Sequence, residues 1–385
     1  RPVYLDNHAT TATDPRAVDA MLPYFTERFG NPHSASHFYG WEAAEAVEVA
    51  REQVARLIGA EADEIIFTSG ATEANNLAIK GVARFYRGRK NHIISCTTEH
   101  MCVLDSLFQL EREGTRVTYL NVGSDGLIDL AELDAAITDD TVLVSIMTVQ
   151  NEIGVIQPMA EIGTLCRSRG VFLHTDAAQA AAKIPLDVKA MQIDLLSLTG
   201  HKLYGPMGIG ALYIGKMPRV RLEPLFSGGG QEKNIRPGTL PAPLCVGFGA
   251  ACEIGRSEMA NDSVRIARMR DRFLKRLNEA GGIHVNGSLA ARVAGNLNIS
   301  VEGARAEDLI AALPDLAFST GSACSSVSEE SSYVLRAIGL SNELAEASLR
   351  FGLGRFTTDA EIDYAADRLV EEIAAVRTRK RHAAE

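Results

Sequence analysis

The sequence predicts an α/β protein, with a larger domain on a mainly parallel seven-stranded sheet and a smaller α+β domain beside it. Three observations carry that expectation. From about Glu64 to Ile214 short apolar runs alternate with amphipathic helical stretches, the pattern of βαβ units. After about Gly255 the alternation stops, and a long charged helical stretch, short strand-like runs and a terminal helix follow. A chain of 385 residues also exceeds what one hydrophobic core normally serves, so two packed domains are expected.

The elements follow in order. Arg1-Pro2-Val3-Tyr4-Leu5-Asp6 enters a strand-like pattern at once, so no signal peptide is expected, and the missing initiator Met suggests processing or trimming. Trp41–Ile58 is an amphipathic helix, with Ala43, Val47, Ala50, Val54 and Leu57 at helical spacing. The seven strand candidates are Ile65–Thr68, His92–Cys96, Arg116–Leu120, Thr141–Met147, Val171–Thr175, Leu195–Leu198 and Ile209–Ile214; Ala74–Tyr86 and Met159–Arg169 are helices between them. The second part opens with a charged helix, Ser263–Ala280. Strand-like Asn296–Val301 and Ala317–Ser319 come next, and a helix over Asp359–Arg377 ends the chain. The expected division is 14–258 for the large domain, with 1–13 and 259–385 forming the small one.

Composition removes several function classes. A net charge of −10 argues against nucleic acid as the main partner. The one basic run, Arg377 to Arg381, reads as a solvated tail. No apolar run approaches the roughly 20 residues that cross a bilayer, so no membrane association is expected. The six cysteines are scattered without a CxxC pair, which points to a reducing, cytoplasmic setting. Five of them read as buried small apolar residues or bystanders; Cys324 does not. There is no GxxxxGK[ST], and Gly228-Gly229-Gly230 lacks the spacing and the preceding strand of a dinucleotide site. His33 and His37 have metal-like spacing but no evident third ligand, so no metal is expected.

In open α/β sheets ligands sit beyond the carboxyl ends of the strands, so the polar residues following each strand are the ones to weigh. After Ile65–Thr68 comes Ser69-Gly70-Ala71-Thr72-Glu73, opening a helix. Glycine permits close approach and the free amides of a helix start suit a phosphate, although an ordinary cap by Ser69 or Thr72 explains the segment equally well. After His92–Cys96 comes Thr97-Thr98-Glu99-His100, where a lone histidine is more often structural than catalytic. Gln150-Asn151-Glu152-Ile153-Gly154 is a turn whose amides either face a ligand or only shape the turn. Asp176-Ala177-Ala178-Gln179 carries an acid that wants a cationic partner or caps a helix. Thr199-Gly200-His201-Lys202 carries an amine, which in such a loop is usually a solvated charge but, partly desolvated, can condense with an aldehyde. What shifts the odds is convergence: a phosphate cradle, a stackable imidazole, a carboxylate for a ring nitrogen and an amine are the groups pyridoxal phosphate requires. Farther on, Ser319-Thr320-Gly321-Ser322-Ala323-Cys324-Ser325-Ser326 is small and polar, suited to a mobile loop with an accessible thiol, or to an incidental surface cysteine. Arg350, in an apolar strand-like stretch, needs an anion, and a substrate α-carboxylate would suit its fork.

An ordered set of motifs along nearly the whole chain resembles one family. It comprises Tyr4-Leu5-Asp6-Asn7-His8-Ala9-Thr10-Thr11, Phe29-Gly30-Asn31-Pro32, Thr68-Ser69-Gly70-Ala71-Thr72-Glu73, Thr98-Glu99-His100, Asn151-Glu152-Ile153-Gly154 and Asp176-Ala177-Ala178-Gln179, then His201-Lys202-Leu203-Tyr204-Gly205-Pro206, Arg236-Pro237-Gly238-Thr239, Gly321-Ser322-Ala323-Cys324 and Arg350-Phe351. The chain thus resembles the cysteine desulfurases of the NifS/IscS type, in the class V aminotransferase branch of the fold-type I pyridoxal-phosphate enzymes. The resemblance implies pyridoxal 5'-phosphate bound covalently by Lys202, with Asp176 on the ring nitrogen and Gln179 on the phenolic oxygen. It implies His100 stacked on the ring and assisting proton transfer. The phosphate falls to Ala71, Thr72, Thr199 and His201, and Thr239 reaches the phosphate of a neighbouring subunit in a homodimer. Asn151 and Arg350 would hold the carboxylate of L-cysteine. Cys324 would be the nucleophile that takes its sulfur as a persulfide and passes it to an acceptor protein such as an iron–sulfur scaffold.

Some positions depart from the family pattern. Thr199 stands where Ser is common, Gln150 replaces an Asn, and Cys102 follows His100 where no thiol is expected. The chain ends soon after Arg377, short of the longer tail with which IscS-type members engage their scaffold, so a dedicated donor for tRNA thiolation or DNA modification stays open. The rival readings are a selenocysteine lyase or another class V enzyme of the same fold, and a sulfur-carrier scaffold without catalysis.

Overall fold

The computed structural model describes residues 2–320 and 332–384. A first strand, β1 (Val3–Tyr4), is followed by seven that form one sheet: β2 (Ile65–Thr68), β3 (His92–Cys96), β4 (Arg116–Leu120), β5 (Thr141–Ser145), β6 (Phe172–Asp176), β7 (Leu195–Thr199) and β8 (Gly210–Ile214). Their order is β2-β8-β7-β6-β5-β3-β4, and all pairings are parallel except those of β8, which runs antiparallel to both neighbours. The strands read as unbroken apolar runs because both faces are covered. Successive residues alternate between two cores: Ile93, Leu143, Leu195 and Leu212 lie in one, Ile94, Val144, Leu196 and Ala211 in the other. Helices Ala71–Tyr86 and Met101–Arg112 cover the first face; Phe38–Leu57 and Met159–Ser168 cover the second.

The later strands are β9 (Ile283–Val285), β10 (Asn296–Val301), β11 (Leu316–Ala317) and β12 (Ser348–Gly352). An antiparallel sheet β12-β10-β9 and the parallel pair β1-β11 accompany a separate core in which Phe351 packs between Phe273 and Phe318. Leu5 lies in this core, and β1 pairs with β11 beside it.

Strand boundaries moved by one or two residues. β5 stops at Ser145 instead of Met147, and β6 and β7 each extend to the chemically interesting residue, Asp176 and Thr199. The larger correction is a single 36-residue helix, Ala242–Leu277, where the sequence suggested a helix only from Ser263. Its first half packs Cys245, Phe248, Ala251 and Cys252 into the sheet's core, its second half Ile266, Met269 and Phe273 into the other. Glycines 247, 249 and 255 obscured the first half, because glycine is a poor helix former. They are there for close packing: a Cβ on Gly249 would lie 2.6 Å from the Ala50 Cα. The terminal helix also runs on to Ala384. Its Arg377 is anchored to the surface, where the half-buried guanidinium donates to the carbonyls of Ala280, Gly281 and Glu302.

Candidate active site

The carboxyl ends of β2, β6 and β7 and the segment after β3 lie along one edge of the sheet, close enough that Asp176 and Lys202 both act on His100 and Cys102. The turn after β2 places Gly70 at a φ of 152°, and helix Ala71–Tyr86 then starts with no side-chain cap. The equal alternative of an ordinary capped start is thereby set aside, and the amides of Ala71 and Thr72 are left for a ligand. Across from it, the Thr199 hydroxyl lies 3.6 Å from where a Gly70 Cβ would stand. Glu73 braces the turn by accepting the Ser69 amide (2.7 Å) and pairing with Arg236 (2.7 Å), which ties the segment bearing exposed Thr239 to the cradle.

Asp176 is buried at the end of β6. Its Oδ2 accepts from Asn75 Nδ2 at 2.7 Å and its Oδ1 from the Ala178 amide at 2.8 Å, which aims the carboxylate; turns, not a helix, follow it. Three residues on, the Gln179 Oε1 receives Lys183 Nζ (2.8 Å) and faces His8 Nδ1 (2.9 Å), while Gln179 Nε2 donates to the His8 carbonyl (2.8 Å).

Lys202 ends a single 3₁₀ turn, Gly200–Lys202, directly after β7. Its charge is felt by its neighbours: after burial, the main cause, it helps lower the pKa of His100, Lys183 and His201, and more weakly that of His8. His201 falls to about 4 and is neutral near pH 7, its Nδ1 facing the Thr10 hydroxyl at 3.1 Å. His100 caps helix Met101–Arg112, with Nδ1 accepting the Cys102 amide (3.2 Å) and lying 3.0 Å from the Cys102 Sγ. An Nδ1 that accepts a backbone N–H is unprotonated, so the neutral ring carries its proton on Nε2. Cys102 therefore belongs to the site and is no bystander. Its Sγ also receives Asn75 Nδ2 at 3.3 Å, and burial lifts its pKa to about 12, so it stays a thiol.

On the other side stands Arg350 of β12. It is buried, pairs with Asp6 at 2.9 Å and donates to the Asn151 carbonyl at 3.1 Å, so its first anion is internal. The chain leading into the segment 321–331 is anchored here, since Ser319 exchanges both backbone hydrogen bonds with Arg350. The chain leaving it is anchored as well: Ser332 Oγ donates to Glu152 at 2.5 Å, and Tyr333 Oη to the Glu99 carbonyl at 2.6 Å. Cys324 itself lies outside the described residues.

The aminotransferase class-V family model matches residues 3–365. The cysteine desulfurase IscS of Rickettsia rickettsii is 57% identical over 380 residues, covering 98% of this chain and 92% of that one. The chain belongs to the class-V aminotransferase family. Its likeness to the IscS desulfurases places it in their branch. A solved NifS-like protein superposes with a TM-score of 0.91 at 34% identity, over 97% of this chain and 100% of that one. A structure described as SspA in complex with cysteine gives 0.83 at 39% identity, over 92% and 99%.

Class-V aminotransferases and IscS desulfurases depend on pyridoxal phosphate, and the residues present fit it. An uncapped helix start with a threonine hydroxyl opposite suits a dianionic phosphate. A buried carboxylate already aimed by two donors suits a ring nitrogen, and an amine stands at the adjacent strand end. Motif reading missed Asn75, which aims Asp176, and Lys183 and His8, which hold Gln179. It also missed Asp6 as the partner of Arg350. Tyr4–Thr11 had signalled the family without a role; Asp6, His8, Thr10 and Thr11 all turn out to touch site residues. Among the described residues no His, Cys, Asp and Glu cluster could hold a metal ion, and no helix is long and apolar enough to cross a membrane.

Proposed function

We infer that this chain is a pyridoxal-phosphate-dependent cysteine desulfurase that converts L-cysteine to L-alanine and takes the sulfur onto Cys324. What supports the reading is that Lys202, Asp176, Gln179 and the uncapped Gly70–Thr72 turn all follow strand ends on one edge of the sheet in a class-V aminotransferase-family fold. When bound, the cofactor supplies an electron sink for the pair released at the substrate Cα. Asp176, held by Asn75 and the Ala178 amide, keeps the proton on the ring nitrogen that makes the sink effective. Ala71, Thr72, Thr199 and His201 hold the phosphate, Gln179 the phenolic oxygen, and the His100 ring covers one face with its proton on Nε2. Asn151 and Arg350 hold the substrate carboxylate. The Lys202 Nζ removes the Cα proton and returns it during turnover.

The Cys324 thiolate attacks the substrate sulfur, forming an S–S bond as the Cβ–S bond breaks. That bond's electron pair stays with carbon, which is protonated to give alanine, and Cys324 keeps the persulfide. The balance is one cysteine and one enzyme thiol to one alanine and one enzyme persulfide. An acceptor protein, an iron–sulfur scaffold by the likeness to IscS, then removes the sulfur.

The enzyme acts as a homodimer in this reading. The exposed aromatic cluster Phe29, Phe38 and Tyr39, with rings 5.4–6.5 Å apart, is the kind of surface that a second subunit covers, and Thr239 serves the neighbour's phosphate. Residues 14–258 form the cofactor domain, with 1–13 and 259–385 the domain that carries Cys324. The free thiols at Cys96, Cys102, Cys166, Cys245 and Cys252 suit a reducing, cytoplasmic setting.

Cys324→Ser is expected to keep the cofactor's visible absorbance and to lose alanine formation from L-cysteine, while Lys202→Ala loses the covalent chromophore. Normal turnover by Cys324→Ser would overturn the persulfide step. A protein that stays colourless after reconstitution would overturn the whole reading.

A further inference from the structure

Gln179 has four hydrogen-bonding positions, two acceptor and two donor. The His8 carbonyl, which can only accept, lies 2.8 Å from Nε2, and Lys183 Nζ lies 2.8 Å from Oε1. The carbonyl fixes which end of the amide is nitrogen, with no flip permitted, so Lys183 Nζ donates to the oxygen at the other end. It follows that His8 Nδ1, 2.9 Å from that same oxygen, carries a proton, and that its Nε2 is the bare nitrogen. Nε2 is buried without a partner among the described residues, so it asks for no donor or acceptor that would contradict this tautomer. Burial, with the Lys183 charge next, pushes the His8 pKa well below its usual value, so the ring stays neutral. Both acceptor positions and one donor position of Gln179 are spent, and a single amide proton is left.

The backbone that places Lys183 is specially built. Ala182 sits at a φ of 57°, a region that non-glycine residues rarely enter. It packs over Gly255 of the long helix, where any Cβ would stand 2.5 Å from the Ala182 Cβ. Strain of this kind persists only where surrounding structure imposes it, and it gathers at functional positions.

We propose that Lys183 and His8 are positioning residues that lock the Gln179 side chain so that it presents one N–H, and never its carbonyl oxygen, to the phenolic oxygen of the cofactor. The proposal rests on the reading that Gln179 faces that oxygen. An N–H there takes up negative charge on the oxygen and eases loss of the proton the oxygen shares with the covalently held nitrogen. A carbonyl turned to the same place would repel the oxygen and hold the proton.

The test is a double-mutant cycle on the purified holoenzyme, reading the pH midpoint of the bound chromophore's absorbance without substrate. Gln179→Ala should raise the midpoint by about one pH unit, the size of one hydrogen bond to a charged group. Lys183→Met should raise it similarly on its own and have little further effect in the Gln179→Ala background. Burial, then Lys202 and Arg350, lowers the Lys183 pKa to about 7, and when charged Lys183 also acts on His201; a purely electrostatic role would make the two shifts add. Additive shifts, or no shift in Lys183→Met, would therefore sink the lock. An unmoved midpoint in Gln179→Ala alone would instead sink the reading of Gln179. Should Lys183→Met fail to take up the cofactor, His8→Leu removes the other donor to Oε1 and enters the same cycle with the same expected outcomes.

Discussion

The carboxyl of Glu99 is enclosed just beyond β3, where Oε1 accepts the Met147 amide at 2.6 Å and the Cys96 thiol lies at 3.5 Å. Burial, opposed by the Met147 hydrogen bond and assisted by the charge of Asp176, raises its pKa from 4.5 to about 8. A carboxyl with a raised folded pKa binds more protons folded than unfolded across that window. Its contribution is whole below about pH 4.5 and is lost as pH rises towards 8, by about 1.4 kcal/mol per unit at most. Glu99→Gln, a neutral isostere that still accepts the Met147 amide, should flatten this fall, as urea melts at pH 5 and pH 8 would show. Equal pH slopes in variant and wild type would mean that Glu99 is ionised in the fold. Glu99 stood in the sequence motif only as a neighbour of His100. Its burial was not legible there, because it depends on β5 arriving alongside.

At the scale of elements, the cofactor cradle depends on a close backbone approach between β8 and the turn after β2. A Cβ on Gly210 would lie 2.6 Å from the Gly70 Cα and also against the Leu198 carbonyl, all backbone that cannot swing away. Gly210→Ala should cost about 1–3 kcal/mol by overpacking and weaken cofactor affinity, since the displaced turn carries the Ala71 and Thr72 amides. Thermal melts with and without added cofactor would check both, and unchanged affinity would show that the turn is not set by β8. The Thr239 segment is fixed in another way. Arg51 of helix Phe38–Leu57 pairs with buried Glu232 at 2.8 Å, and Glu232 accepts the Phe67 amide, while Glu232, Lys233 and Asn234 all take positive φ. Removing Glu232 would strand a buried guanidinium, so Glu232→Ala should cost about 3–5 kcal/mol. Nothing in the local sequence of that segment announces so unusual a backbone.

At the scale of the whole molecule, a shared active site makes a prediction that a self-contained one does not. Lys202→Ala and Thr239→Ala protomers, unfolded and refolded together, should give mixed dimers with one intact site, because the proposed dimer brings the surviving Lys202 and the surviving Thr239 together across its interface. Recovery of alanine formation in the mixture, against little in either variant alone, is the expected result. No recovery in confirmed mixed dimers would place Thr239 and Lys202 of one chain in the same site. If the proposed dimer covers the exposed aromatic cluster, Phe38→Glu places a charge in a desolvated interface and should shift the protein towards monomer in light scattering.

The sequence by itself determined the alternation of strands and helices, because apolar periodicity is set by which faces are buried. It also determined that Asp176, Thr199 and Lys202 fall at strand ends, and its ordered motifs marked the family. The tertiary structure alone decided the one long helix shared by two cores, whose glycines look like interruptions until the Ala50 backbone is seen against them. It alone brought Asn75 to Asp176, Asp6 to Arg350, and His8 and Lys183 to Gln179. Apart from Lys183, which follows Gln179 within one turn, these partners stand about a hundred residues or more apart in the chain. Hydrogen bonds of that kind leave no spacing signal, because the distance between their ends is set by packing and not by the period of any one element.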